Sequence, residues 1–146
     1  MTQNDLRGFL PDDPDRLQSD FVRQALDARS DLEKFMGFFH DDATIAIVGG
    51  IYDYAFSGVY RGRENILALL RRIDAEIEMS DHRILNLVVD GDKIALRRST
   101  LVRHRGTAAA RRLILGNLAT MRDGKVAELH EYVDTAWLKK MSGADD

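Results

Sequence analysis

The stretch "RRLILGNLATMRDGKVAELHEYV", Arg111 to Val133, decides the fold. Two runs of alternating residues flank Asp123 and Gly124, and an Asp-Gly pair between such runs is a hairpin signal. Side chains on a strand alternate between its faces. In the first run Leu113, Leu115, Asn117, Ala119 and Met121 share one face. In the second run Ala127, Leu129, Glu131 and Val133 do. Each face is apolar with one polar exception, Asn117 or Glu131. A slip of one residue would turn the apolar set to water, so the register is strongly specified.

The pattern extends upstream. "KIALRRSTLVRHR" reads as another strand, and its more apolar face, Ile94, Leu96, Arg98, Thr100 and Val102, has Arg98 as its exception. "HRILNLVV" reads as a strand before it, with "DGD" and "GT" as the connecting turns. Four consecutive runs joined by hairpin signals make an antiparallel meander. A cation, an amide and a carboxylate are therefore expected on neighbouring strands of one concave face.

The N-terminal half carries a helical period instead. Pro14 is placed for the first turn of a helix bearing Leu17, Phe21, Val22 and Leu26. Ser30 with Glu33 forms a capping box ahead of the stripe Leu32, Phe35, Met36 and Phe39, and "HDDA" is expected to end that helix. "TIAIVGG" reads as a short buried strand and "IYDYAFSG" as a loop. "VYRGRENILALLRRIDAEI" turns through Gly62 into a third helix with Ile66, Leu67, Leu70, Ile73 and Ile77 on one side. Helices first and strands after argue for an α+β domain with its helices on one face of a curved sheet. The expected division is an arm over residues 1–13, one domain over 14–140 and a tail over 141–146.

Bulk properties restrict the function classes. The chain has 146 residues, 45% hydrophobic and 31% charged, which suits one globular domain with its own core. A net charge of −3 with no basic block speaks against nucleic acid as a partner. There is no cysteine, so no disulfide framework or thiolate site exists. "MTQNDLRGFL" lacks the apolar core of a leader segment, and no apolar run approaches the ~20 residues of a membrane-spanning helix. A cytoplasmic protein without membrane attachment is the expectation.

The three polar exceptions carry the chemistry. A carboxylate moved from water into an apolar cavity costs several kcal/mol unless it is paired. Arg98 and Asn117 would stabilise the charged form of Glu131 and leave it able to accept a proton from water or substrate. A few polar groups on apolar walls also suit a small hydrophobic ligand. A second reading stands beside this one: a buried Arg–Glu pair that only closes the open end of the sheet. Tyr52 and Tyr54, in the loop before the third helix, are placed to hydrogen-bond a substrate oxygen or to cover the core. His82, opening the first meander strand, is a general-base candidate or a solvated strand end. "HDD" at 40–42 has no second group at metal-ligand spacing, so no metal is expected. "GGIYDYAFSG" lacks the "GK[ST]" that would follow a phosphate loop.

The motifs "GVYRGRENILALL", "VDGDKIAL" and "MRDGKVAELHEYVDTA" make the chain resemble the SnoaL-like branch of the nuclear transport factor 2-like superfamily, over roughly residues 15–138. The superfamily includes ketosteroid isomerases, polyketide cyclases, limonene epoxide hydrolase and scytalone dehydratase. The resemblance implies a cystatin-like, cone-shaped roll: three N-terminal helices packed on a strongly curved, mostly antiparallel sheet around a deep apolar cavity. It also implies a homodimer formed through the outer sheet face. In the cyclases and the epoxide hydrolase, an acid on the strand after "DGK" acts as base or water activator, and Glu131 stands at the matching place. Arg98 matches the arginine of the hydrolase's Arg-x-Asp, but Thr100 stands where the aspartate would be. Tyr52 is similar to the hydrolase's water-holding tyrosine, with Tyr54 in the place of its asparagine. His82 and Asn117 are similar to residues of the dehydratases. The resemblance implies cofactor-free acid–base chemistry with Glu131 as base, supported by Arg98 and Asn117, on a small hydrophobic molecule held by Tyr52, Tyr54, His82 and Thr100. Isomerisation, cyclisation, dehydration and hydrolysis all stay open, as does a binding module without turnover.

Overall fold

The computed structural model describes residues 14–49 and 54–143. Helix α1 (Pro14–Asp27) leads through a 3-10 turn (Ala28–Ser30) into the short helix α2 (Leu32–Met36). Strands β1 (Phe39–Val48) and β2 (Gly58–Arg61) precede helix α3 (Arg63–Glu76). Strands β3 (Ile77–Asp90), β4 (Lys93–His104), β5 (Ala110–Arg122) and β6 (Lys125–Tyr132) form the meander, and α4 (Thr135–Met141) follows. The six strands lie in the order β2-β1-β6-β5-β4-β3. Strand β6 runs parallel to β1, and every other neighbouring pair is antiparallel. The helices pack on this curved sheet as one cone-shaped α+β domain, as expected.

Local chemistry explains the elements. Asp123 and Gly124 both take positive φ, 51° and 77°, as the tight β5–β6 hairpin requires. The inward residues alternate as anticipated: Ile94, Arg98, Thr100 and Val102 on β4, and Leu113, Leu115, Ala119 and Met121 on β5, are buried. They meet Ile66, Leu69, Leu70 and Ile73 of α3. The register shifts four times, between Ser80 and Arg83, Ile84 and Asn86, Thr120 and Met121, and Phe39 and Thr44. Such irregularities bend strands and increase their twist, which lets the sheet wrap around the helices.

Several elements differ from the sequence reading. "HDDA" does not end a helix. It belongs to β1, which starts at Phe39 because that ring is buried and its backbone joins β6 opposite Val126. The cap of α2 is Asp31, whose carboxylate accepts from the Lys34 N–H, and not Ser30. "GVYR" forms an edge strand, β2, before Gly62. Helix α3 stops at Glu76, so Ile77 opens β3 and His82 sits inside that strand. The final run is not all strand: Asp134 caps α4 by accepting from the Trp137 N–H at 2.9 Å. That helix carries buried Met141, so the folded part extends into the segment read as tail. Ala127 is skipped where Thr120 pairs with Glu128 and Met121 with Val126, so Val126 takes the buried place. No helix among the described residues is long and apolar enough to cross a membrane.

A largely buried ion pair ties the 3-10 turn after α1 to α3. Arg29 donates two hydrogen bonds of 2.9 Å to the Asp74 carboxylate on α3, and its guanidinium lies 5.6 Å from the centre of the Phe35 ring. Arg29 is 9% exposed, so losing its partner leaves a buried charge. Asp74→Ala is expected to destabilise the domain by about 1–3 kcal/mol in urea unfolding. That is less than the cost of breaking a fully buried pair, because the Asp74 side chain is 33% exposed. A change below about 0.5 kcal/mol would show the pair to be idle.

Candidate active site

The sheet register brings the three polar exceptions together. Asn117 on β5 lies directly opposite Glu131 on β6 and opposite Leu96 on β4. Arg98 is the next inward residue after Leu96, so it is a diagonal neighbour of Asn117, within reach of a long side chain. Glu131 also pairs with Ile47 of β1, so strands hold its backbone on both sides. A group set on a doubly flanked strand is positioned more exactly than one on a loop.

Arg98, 6% exposed, is the hub. Its Nε donates to Asn117 Oδ1 at 3.0 Å, its Nη2 to Glu131 Oε1 at 2.8 Å, and its Nη1 to His82 Nδ1 at 3.2 Å. Asn117 Nδ2 donates to the same Oε1 of Glu131 at 3.4 Å. The two contacts of Asn117 agree with each other, with its oxygen facing the cation and its nitrogen the carboxylate. Glu131 Oε2 accepts no hydrogen bond among the described residues.

Arg98, Asn117 and Glu131 all line a cavity of about 140 Å³ between helices and sheet. Its walls are otherwise mostly apolar, with Phe21, Phe35 and Phe38 on the helical side and Leu115 and Leu129 on the sheet. Tyr54 lines it too, in edge-to-face contact with Phe56 at 5.3 Å between ring centres. Burial, and after it the charge of Glu131, holds the Tyr54 phenol above its ordinary value, so it is a neutral hydrogen-bond donor at physiological pH.

The remaining candidates divide. His82 touches the cluster from behind, through Arg98, and lies in a neighbouring polar groove and not in the cavity wall. Burial, followed by the cations Arg98 and Arg29, pushes it down to about 4. It is therefore neutral at pH 7. Nδ1 accepts from Arg98, which puts the ring proton on Nε2. Thr100 is 0% exposed and stays outside the cavity wall, its hydroxyl donating to the Ser80 carbonyl at 3.1 Å. Tyr52 lies outside the described residues. Among the described residues no three His, Asp or Glu side chains converge as a metal site would need.

Arg29 was missed. It lines the cavity and stands three residues after Leu26, on the apolar stripe of α1 continued into the 3-10 turn. Asp74 interrupts the apolar rows of α3 in the same way. The test for a charge on an apolar face, applied to the helices as to the strands, identifies both.

Comparison with known proteins agrees with this architecture. No curated protein matches in sequence. An NTF2-like protein of unknown function from Burkholderia pseudomallei superposes with a TM-score of 0.77 at 19% identity, covering 86% of this chain and 96% of that one. A protein with a ketosteroid isomerase-like fold from Catenulispora acidiphila, in complex with trimethylamine, gives 0.70 at 19% identity, covering 84% and 92%. An LEH-like epoxide hydrolase of M. tuberculosis gives 0.68 at 18% identity, covering 90% and 93%. At these identities the likeness is one of fold. The family model of the SnoaL-like domain matches residues 19–129, most of the chain, including Arg98 and Asn117 and ending two residues before Glu131. The protein belongs to the SnoaL-like domain family.

Proposed function

We propose that this domain binds a small apolar molecule in the cone cavity and moves a proton on it without a cofactor, with Glu131 as the base. The observation that carries the reading is the asymmetry of Glu131. Two donors hold Oε1, while Oε2 has no partner among the described residues in a carboxylate that lines the cavity. Arg98 and Asn117 fix the orientation of that carboxylate. The unpartnered oxygen takes a proton from a carbon beside a carbonyl, and the electron pair moves onto the carbonyl oxygen. The neutral Tyr54 hydroxyl stabilises that oxygen by donating to it. Return of the proton to another carbon of the same molecule regenerates the carboxylate. Enolisation-type chemistry, as in isomerases and cyclases, fits better than epoxide hydrolysis. Epoxide opening needs a second acid, and Thr100 stands in its place with its hydroxyl bonded to Ser80.

A non-catalytic binding module is the second reading, favoured by the ion pair itself, since Arg98 neutralises Glu131. As to assembly, we propose a homodimer. Val88, Ala95 and Leu118 form one row across β3, β4 and β5 on the face turned away from the helices. Val88 and Leu118 are exposed, as is Ile114 on the same face.

Three outcomes test these points. Glu131→Gln keeps the shape of the side chain and removes the base, so turnover of any substrate is expected to fall on the order of 10²–10⁴-fold; wild-type turnover in this variant leaves only the binding module. Leu118→Glu is expected to convert the dimer to a monomer in light scattering, and a monomeric wild type refutes the dimer. His82 contributes to stability with a defined sign: its folded value lies near 4, against about 6.5 unfolded, so its contribution is complete above pH 6.5 and is lost as the pH falls toward 4. Urea unfolding at pH 7 and pH 4.5 is expected to show a smaller loss of stability on acidification in His82→Asn than in wild type. An equal loss contradicts this account of His82.

A further inference from the structure

We infer that the cavity selects an uncharged ligand with a single ring and one oxygen function, such as a cyclic ketone or a phenol, and rejects both fused-ring compounds and anions. The inference rests on the reading of the cavity as a ligand site. It specifies the ligand, which the base assignment does not.

Size comes first. An apolar cavity of about 150 Å³ in a protein core accepts benzene. The cavity here, about 140 Å³, therefore has room for one six-membered ring, and a second fused ring needs wall atoms to move. The walls belong to close-packed elements. Leu69 is 1% exposed, Leu115 3% and Phe39 3%, and tightly packed side chains yield little space.

Charge comes second. The cavity wall holds two cations, Arg29 and Arg98, and each already has a carboxylate: Asp74 for the first and Glu131 for the second. The site is therefore electrically closed. An anion entering it meets no unpaired cation and faces the Glu131 carboxylate, while a cation must compete with Arg98. A neutral ligand avoids both costs.

Hydrogen-bonding capacity comes third. Arg98 and Asn117 spend their polar atoms on one another, on Glu131 and on His82. In that cluster the atom left without a partner among the described residues is Glu131 Oε2, and the Tyr54 hydroxyl likewise makes no hydrogen bond among them. One acceptor and one hydroxyl suit one oxygen-bearing group, and the apolar walls suit the ring behind it.

The test uses three probes at pH 7: phenol, 2-naphthol and benzoate. Titrations are followed by NMR on the Asn117 side-chain amide and the Tyr54 ring. Phenol is expected to shift these signals with a Kd at least tenfold below those of the other two. Leu96→Ala enlarges the wall at a partly buried position and is expected to tighten 2-naphthol at least tenfold; Met79→Ala replaces it if that variant does not fold. Glu131→Gln leaves Arg98 without its counter-charge and is expected to tighten benzoate at least tenfold, with phenol changed less. Equal binding of phenol and 2-naphthol by the wild type, or failure of the enlarged variant to admit 2-naphthol, overturns the size limit. Equal binding of benzoate, or no gain in Glu131→Gln, overturns the charge limit. Binding of none of the three at these signals overturns the whole inference. All are binding constants, so they stand or fall independently of the turnover that tests the base.

Discussion

A guanidinium cannot lose its proton in a protein, so a buried arginine dictates the polar groups around it. Arg98 is that constraint here. It sits in the inward face of β4 among aliphatic neighbours, and all three of its nitrogens are occupied by groups from three other strands. Removing Glu131 leaves an uncompensated charge in an apolar interior, and removing Asn117 or His82 leaves one N–H of that cation without its acceptor. The cluster therefore couples the strands that form the cavity wall, and it sets the orientation of Asn117 and the accessible oxygen of Glu131 together.

The remainder of the fold makes room for this arrangement. Irregular register bends the sheet, and α1, α2 and α3 cover it without filling the space at its centre. Aromatic rings on the helical side and branched side chains on the sheet make the cavity walls apolar, while the Glu131 side chain stays 23% exposed. Apolar surroundings strengthen the electrostatic hold of Arg98 on Glu131. A second ion pair, Arg29 with Asp74, stands at the helical end of the same cavity, so both cations that line it are compensated.

The meander and its inward faces were legible in the sequence because strand alternation has a period of two and the turn chemistry at Asp123-Gly124 is distinctive. Arg98, Asn117 and Glu131 were legible as faults in that pattern, since their register follows from hairpins that fix strand pairing. The alternation missed Ala127, because a bulge depends on how two strands meet and not on one strand's composition. The buried strand read at "TIAIVGG" is the second half of β1; its first half hid behind the polar "HDDA", which is tolerated where backbone pairing with β6 supplies the stability. Helix α4 hid because seven residues are too few to display a period. Thr100 was misread through family position, and its buried hydrogen bond to the Ser80 carbonyl is a tertiary fact with no local signature. Arg29 was visible only to a test applied to strands and not to helices.

The central claim is that the free oxygen of Glu131, oriented by Arg98, works on a ligand inside the cavity. A crystal structure of the protein soaked with a small cyclic ketone tests it most directly. The account predicts one ring in the cavity with its oxygen within about 3 Å of the Tyr54 hydroxyl and a ring carbon next to Glu131 Oε2, while the Arg98 contacts persist. A ligand bound elsewhere, or a Glu131 whose two oxygens are both engaged by protein groups, would contradict it.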